Sequence, residues 1–403
     1  MQRYEKYKNS GVDWIGEIPE SWEILPGLSF IYENKAKNKG MIRNTVLSLS
    51  YGKIRVKAEN ELTGLVPESF ETYQLVNVGD LIFRPTDLQN DTVSLRSSIS
   101  EYEGIITSAY LNLRFKENAN PKFFHYFFRG IDNNKIIYGL GSGLRQNISY
   151  LDFRRFNFPF PPIEEQQTIA NFLDDKTAKI DLTIAIKEKE IELLKERRQI
   201  LIQKAVTKGL DDTVTLKDSG VDWIGEIPEH WEVRKLKYCL TIKNGQDYKH
   251  VETESGYPVI GSGGQFAHAS KYLYDGEAIL LGRKGTIDKP QHIIGKFWTV
   301  DTMFYSIPKK KFLGKFLFYC CQCIPFSFYS TATALPSMTQ KDLNNHLISI
   351  PQLEEQIRIV SHLEEIEEKI AKAILLKQQE IEKLKEYKTV LIDNVVTGKV
   401  RVS

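Results

Sequence analysis

The stretch KNSGVDWIGEIPESWEI at residues 8–24 returns at 217–233 as KDSGVDWIGEIPEHWEV, identical at 14 of 17 positions. A second pair follows: PPIEEQQTIANFL at 161–173 answers PQLEEQIRIVSHL at 351–363, and the likeness runs on through EIELLKERRQILIQKAVTKG and EIEKLKEYKTVLIDNVVTGK. The first blocks lie 209 residues apart and the second 190, so the middle of the second copy is 19 residues shorter. A period of this length is too long for a solenoid and dictates two domain-sized modules with two connectors. The expected layout is a first domain at 1–162 with a variable part at 25–157, and a helix at 163–210. A second domain at 211–350, variable at 234–347, and a second helix at 351–403 complete it.

The repeated tails read as long helices. Between residues 164 and 206 there is no Pro or Gly, and Glu, Lys, Leu and Ala dominate. Apolar residues recur at Ile169, Leu173, Ile180, Ile184, Ile191, Leu194 and Leu201 in the first copy. In the second they fall at Ile359, Leu363, Ile366, Ile370, Ile374, Ile381, Leu384 and Leu391. Spacings of three and four are those of coiled-coil seams, and each helix spans about 60 Å at 1.5 Å per residue. Prolines mark both starts, and Gly209 and Gly398 follow both ends. A stripe this long needs cover, and the homologous helix is the natural partner. The expected fold is α+β: two globular mixed α/β domains separated by two long antiparallel coiled-coil helices, a pseudo-two-fold tandem repeat.

Both middles alternate short β-favouring runs with turn residues, as in TVLSLSYGKIRV and GDLIFRP of the first and EAILLGRKG and FWTVDTMFYSIP of the second. The aromatic segments PKFFHYFFRGI and LGKFLFYCCQCI read as helices that feed a core. Cys320, Cys321 and Cys323 crowd one apolar segment without metal-ligand spacing, so reduced, buried thiols are expected. No apolar run approaches a membrane span, and the charged, aromatic start MQRYEKYKNSG is no secretory signal; a cytoplasmic location is expected.

The net charge of the chain is +2, which taken alone speaks against nucleic acid. Divided along the repeat it reads differently. Residues 25–157 carry 17 basic and 13 acidic side chains, residues 234–347 carry 15 and 8, and the repeated frame is acidic. Because phosphate neutralisation dominates non-specific nucleic-acid affinity, the excess on each module is the relevant quantity.

Residue types within the modules then suggest contacts. In the first, YGKIRV offers Lys53 and Arg55, GDLIFRPTDLQNDTVSLRSS offers Arg84, Thr86, Asp87, Gln89, Asn90 and Arg96, and GSGLRQNIS offers Arg145, Gln146 and Asn147. Arg with Gln or Asn is the repertoire for guanine and adenine edges in a major groove. In the second, Gln265, His268, Lys271, Arg283, Lys284 and Thr286 lie on Gly-rich loops whose backbone can approach a phosphate. An ordinary polar loop explains any single one of these residues equally well.

Catalytic motifs are absent from the chain. No Gly-x-x-x-x-Gly-Lys-Ser/Thr, no Gly-x-Gly-x-x-Gly and no paired-His or Cys/His metal set occurs, and FPFPP lacks the polar first residue of an amino-methyltransferase motif.

Two divergent modules in one frame, a shared SGVDWIGEIPE lead-in and a VTKG or VTGK helix exit make the chain resemble the DNA-specificity subunits of type I restriction-modification systems. The resemblance implies a non-catalytic subunit whose modules are target recognition domains, each reading half of a split, asymmetric double-stranded DNA sequence. It implies helices that act as a spacer and dock two adenine-methyltransferase subunits, with restriction and translocase subunits joining afterwards. S-adenosylmethionine, Mg2+ and ATP then belong to those partners, and no cofactor or metal is bound directly. The second copy departs from the pattern at ALPSMTQKDL, against LRQNISYLDF in the first, so roles do not carry over to Leu335 and Pro336; Ser337 and Thr339 keep a polar one. A coiled-coil scaffold with two ligand-binding modules and no DNA is the alternative.

Overall fold

The computed structural model describes residues 2–61, 69–86, 88, 95–139, 147–329 and 336–402. Seven helices occur among them: α1 (Pro121–Asn133), α2 (Tyr150–Arg155), α3 (Ile163–Lys208), α4 (Gly314–Gln322), α5 (Phe326–Tyr329), α6 (Gln340–Asn345) and α7 (Leu353–Val396). The chain divides into two α+β units, residues 1–187 with 379–403 and residues 188–378. Each unit takes one globular module and part of both long helices. No helix among the described residues is long and apolar enough to cross a membrane.

The same hairpin leads into the globular module of each unit, Tyr7–Asn9 against Glu17–Pro19 in the first and Leu216–Asp218 against Glu226–Pro228 in the second. The repeated glycines explain its sequence: Gly11 and Gly16 sit at φ +70 and +72, Gly220 and Gly225 at +70 and +69, a region where a Cβ is strained. The tryptophan that follows, Trp22 or Trp231, is wholly buried.

The first unit holds a four-stranded antiparallel sheet in the order Ile31–Glu33, Leu111–Phe115, Leu81–Phe83, Ser97–Ile99. Helix α1 lies beside it. Pro121 fits its first turn, and the Asn120 side chain accepts from the backbone N–H of Lys122 and Phe123 at 2.9 and 3.2 Å. Phe123, Phe124, Phe127 and Phe128 are fully buried, so the aromatic run serves the core. At about 25 cal/mol per Å² of apolar area, such rings are large contributions to this unit beside the wholly buried Trp22.

The second unit holds a seven-stranded sheet in the order Leu240–Asn244, Met303–Pro308, Tyr274–Gly282, Gln291–Thr299, Tyr257–Gly261, Gly264–Ala269, Glu252–Thr253. Tyr257–Gly261 and Gln291–Thr299 run parallel and the other neighbours antiparallel. Cys239, Cys320 and Cys321 are buried, Cys323 is half-buried, and all four are free thiols.

Within each unit the long helices pair antiparallel. In the first, Lys187 meets Glu380 and Asp181 meets Lys388; in the second, Glu190 meets Lys377 and Arg198 meets Glu367. Ile169, Leu173, Ile180, Ile191, Ile359, Leu363, Ile370, Ile381 and Leu391 are buried. Ile184, Leu194, Leu201, Ile366, Ile374 and Leu384 are half-buried. Both helices stop at a glycine with φ near +75, Gly209 and Gly398.

Candidate nucleic-acid interface

In the first unit, strand Leu81–Phe83 runs into Arg84, Pro85 and Thr86. The Ile148 N–H donates to Pro85 O at 2.9 Å, which seats the end of the GSGLRQNIS segment against that strand end. The second unit repeats the arrangement. There the Met338 N–H donates to Arg283 O at 3.0 Å, the Gly285 N–H to Pro336 O at 2.9 Å, and Lys284 and Ser337 form a β-bridge. Register identifies the two as equivalents, since Phe83 pairs with Leu111 as Leu281 pairs with Phe304. A short helix follows at once in both, capped by Ser149 with Asp152 and by Thr339 with Asp342. One backbone device therefore presents a different set of polar side chains in each unit.

The candidates distribute unevenly around these joints. Arg84, Thr86 and Asn147 meet at the first, with Asn147 exposed. Arg96 is wholly buried instead of facing solvent: its Nη1 donates to Thr86 O at 2.8 Å and its guanidinium stacks over Tyr138 at 5.5 Å. Its backbone N–H donates to Asp132 Oδ2 at 2.9 Å. Burial raises the Asp132 carboxyl above its ordinary range against the pull of that bond and the nearby cations. Arg96 thus braces the loop from inside. Lys53 and Arg55 stand exposed on the hairpin Leu47–Ser50/Lys53–Val56, and Arg55 pairs with Glu61 at 3.3 Å. The turn of that hairpin is anchored by Arg129, whose Nη2 donates to Gly52 O at 2.7 Å. Asp87, Gln89, Asn90, Arg145, Gln146 and Leu335 lie outside the described residues.

In the second unit Arg283, Lys284, Thr286 and Ser337 share the joint, with Lys284 and Thr286 exposed and the Arg283 Nη1 donating to Asp301 O at 3.3 Å. Gln265 and His268 lie three strands along the sheet, on Gly264–Ala269, with Gln265 Nε2 and His268 Nε2 3.0 Å apart; Lys271 follows just beyond. Residue type did not single out Tyr51, 95% exposed at the tip of the Lys53 hairpin, or Phe266, 56% exposed beside Gln265. Exposed aromatics offer stacking faces. Among the described residues no group of three or more His, Cys, Asp or Glu is placed to hold a metal ion.

The model of the type I restriction modification DNA specificity domain matches residues 96–193 and 228–386, one segment in each repeat. The chain belongs to this family. Within the family it is 26% identical over 435 residues to the type I restriction enzyme MjaVIII specificity subunit of Methanocaldococcus jannaschii, covering 96% of this chain and 94% of that one. Among solved structures, a chain from work on complex assembly and conformational transition of the type I R-M system covers 95% of this chain and 99% of itself, with TM-score 0.73 and 15% identity. The HsdS subunit of Thermoanaerobacter tengcongensis gives TM-score 0.55 at 15% identity, over 95% of this chain and 98% of that one. The family is one of DNA-specificity subunits.

Proposed function

We propose that this specificity subunit reads a bipartite, asymmetric DNA sequence, one half-site per unit, and carries two adenine-methyltransferase subunits through which restriction subunits join. The carrying observation is the repeated joint: the same backbone hydrogen bond, from Ile148 to Pro85 and from Met338 to Arg283, holds two unlike sets of polar side chains. A duplicated frame with unlike contact residues suits a target whose halves differ. Specificity then resides in the loops, and phosphate contacts from the basic modules hold the register.

Docking of two partners is supported by apolar side chains that the helix pair leaves outside. Ile186 and Val390 of the first unit are 52% and 49% exposed, and their repeat equivalents in the second unit, Leu376 and Ile200, 52% and 58%. Equivalent exposed pairs, one in each unit, suit two copies of one partner. In this reading the chain performs no chemistry. S-adenosylmethionine, ATP and Mg2+ are held by the partners, which act on DNA in the cytoplasm.

Exchange of residues 25–157 for the corresponding module of another family member tests the reading. Mapping methylated adenines in cells that carry the hybrid is expected to show one altered half-site and one retained. Two altered half-sites, or none, would refute it.

A further inference from the structure

The second unit carries a groove of about 690 Å³ lined by Arg234, Lys235, Tyr238, Lys309, Lys310 and Lys311. Two strand pairs build it. Glu232–Lys235 pairs with Leu347–Ile350, and Met303–Pro308 pairs with Leu240–Asn244. Where the latter pair ends, the Lys309 N–H donates to Cys239 O at 2.9 Å and its Nζ to Lys237 O at 2.8 Å. That lays the KKK turn along the RKLK segment. Arg234 is paired with Glu232, and Lys235 Nζ donates to Asn345 Oδ1 at 3.2 Å. Among the described residues, Lys237, Lys309, Lys310 and Lys311 have no carboxylate within ion-pair distance, and all four are exposed.

The first unit shows that the frame keeps one of these cations and does not need the other five. Its Lys116 N–H donates to Phe30 O at 2.9 Å and its Nζ to Ser29 O at 2.8 Å, so Lys116 is the counterpart of Lys309. Around it, Leu25, Pro26 and Leu28 stand where the second unit has Arg234, Lys235 and Lys237, and Glu117 and Asn118 stand where it has Lys310 and Lys311. Six cations on one side face one cation and one anion on the other. Clustered like charge opposes the compact state, so the fold alone does not account for it.

The composition indicates the occupant. Protein–protein interfaces are depleted in Lys, whereas exposed ammonium groups act as point charges for phosphates without reading sequence. Tyr238, 56% exposed in the same groove, has Lys237 Nζ 5.1 Å from its ring centre. We propose that this groove holds the phosphate backbone of duplex DNA outside the half-site read by the second unit, a contact the first unit lacks. The proposal rests on the DNA-reading function above and adds an asymmetry that the repeat does not imply.

The test uses the full chain assembled with its methyltransferase subunits, with binding to target and non-target duplexes followed by fluorescence anisotropy over a range of salt. In K237Q/K310Q/K311Q, which spares the Lys309 bond to the Lys237 carbonyl, the slope of log affinity against log salt is expected to flatten by about 0.9 per lost phosphate contact. Target and non-target duplexes weaken by the same factor. Trimming the duplex on the second unit's side is expected to weaken the unsubstituted complex alike and to leave the variant unmoved. The three side chains are exposed, so the melting temperature stays unchanged. An unchanged salt slope overturns the proposal; so does weaker assembly with the methyltransferase subunits at unchanged slope, which gives the groove to a protein. If the unsubstituted complex shows no salt-dependent target binding, the DNA reading falls first and this inference with it.

Discussion

The two units share one frame yet solve the same local problem differently. Trp231 donates its indole N–H to Glu355 Oε2 at 3.0 Å, and His230 reaches the same oxygen at 3.0 Å. In the first unit the equivalent carboxylate, Glu165, accepts from the Tyr4 hydroxyl, and the Trp22 Nε1 is buried with no partner. Burial, and after it the bond and charge of Glu165, holds the Tyr4 phenol well above its ordinary range. Tyr4 stands where the second repeat has Thr213, so a residue of the chain's beginning has diverted the carboxylate. The difference teaches that the ring's burial, common to both, carries the frame, while the hydrogen bond is negotiable.

That comparison breaks or sharpens most strongly at the tryptophans themselves. Trp22→Ala and Trp231→Ala are each expected to destabilise their own unit by about 3–5 kcal/mol, read by urea unfolding or hydrogen exchange of the full chain. Phe at the same positions separates ring from N–H. Trp231→Phe leaves Glu355 without its buried donor and is expected to lose about 1–3 kcal/mol more than Trp22→Phe, which removes an N–H that had no partner. Equal losses for the two Phe variants would contradict the assignment of the bond.

A second difference lies one layer in. Trp14 stacks on Phe156 with ring centres 6.1 Å apart, and its counterpart Trp223 stacks on His346 at 4.8 Å. His346 is 1% exposed, its Nδ1 lies 2.8 Å from the Tyr329 hydroxyl, and its Nε2 has no partner. Burial pushes this imidazole down to about 4 from its ordinary 6.5. The native state therefore binds fewer protons than the unfolded chain between these values, and stability is full above pH 6.5 and falls as the pH drops towards 4. The loss is expected to reach about 3 kcal/mol in the second unit. His346→Phe, which places the first unit's Phe156 ring there, combined with Tyr329→Phe, which removes the hydroxyl left without its partner, should remove that part of the acid sensitivity. A double variant as acid-labile as the parent would place the sensitivity elsewhere.

These differences also show where sequence reading reaches its end. The duplicated lead-in and the long helices were legible because Gly11, Gly16, Gly209 and Gly398 punctuate them and the apolar stripe repeats at helical spacing. Arg96 was not, since a guanidinium that braces a loop from inside and one that faces solvent are the same letter. The basic groove was invisible for another reason: RKLK and KKK lie far apart in the chain and meet only through the pairing of Met303–Pro308 with Leu240–Asn244. The exchange of partners at Glu165 and Glu355 depends on a residue outside the repeated motif, and no spacing within the motif announces it.

The smallest expected effects fall on the helix pair, where the units agree at one contact and differ at another. Lys187 with Glu380 and Lys377 with Glu190 are repeat equivalents at similar exposure, 23%/54% and 26%/44% for their side chains. Double-mutant cycles to Ala are expected to give the same coupling for both, about 0.2–1 kcal/mol, and less at high salt. The outer pairs are not equivalent. Lys388 faces Asp181 as a single ammonium at 2.6 and 2.7 Å, whereas Arg198 reaches Glu367 through two guanidinium nitrogens and Glu367 also accepts the Tyr319 hydroxyl at 2.7 Å. In the first unit the equivalent tyrosine, Tyr126, turns to Asp174 and Thr177 instead. A forked, partly buried pair with a third partner resists screening more than a lone ammonium does. The Arg198/Glu367 coupling should therefore exceed that of Lys388/Asp181 and survive added salt better; a cycle that ranks them the other way would mean that side-chain entropy, not geometry, sets the strength of this seam.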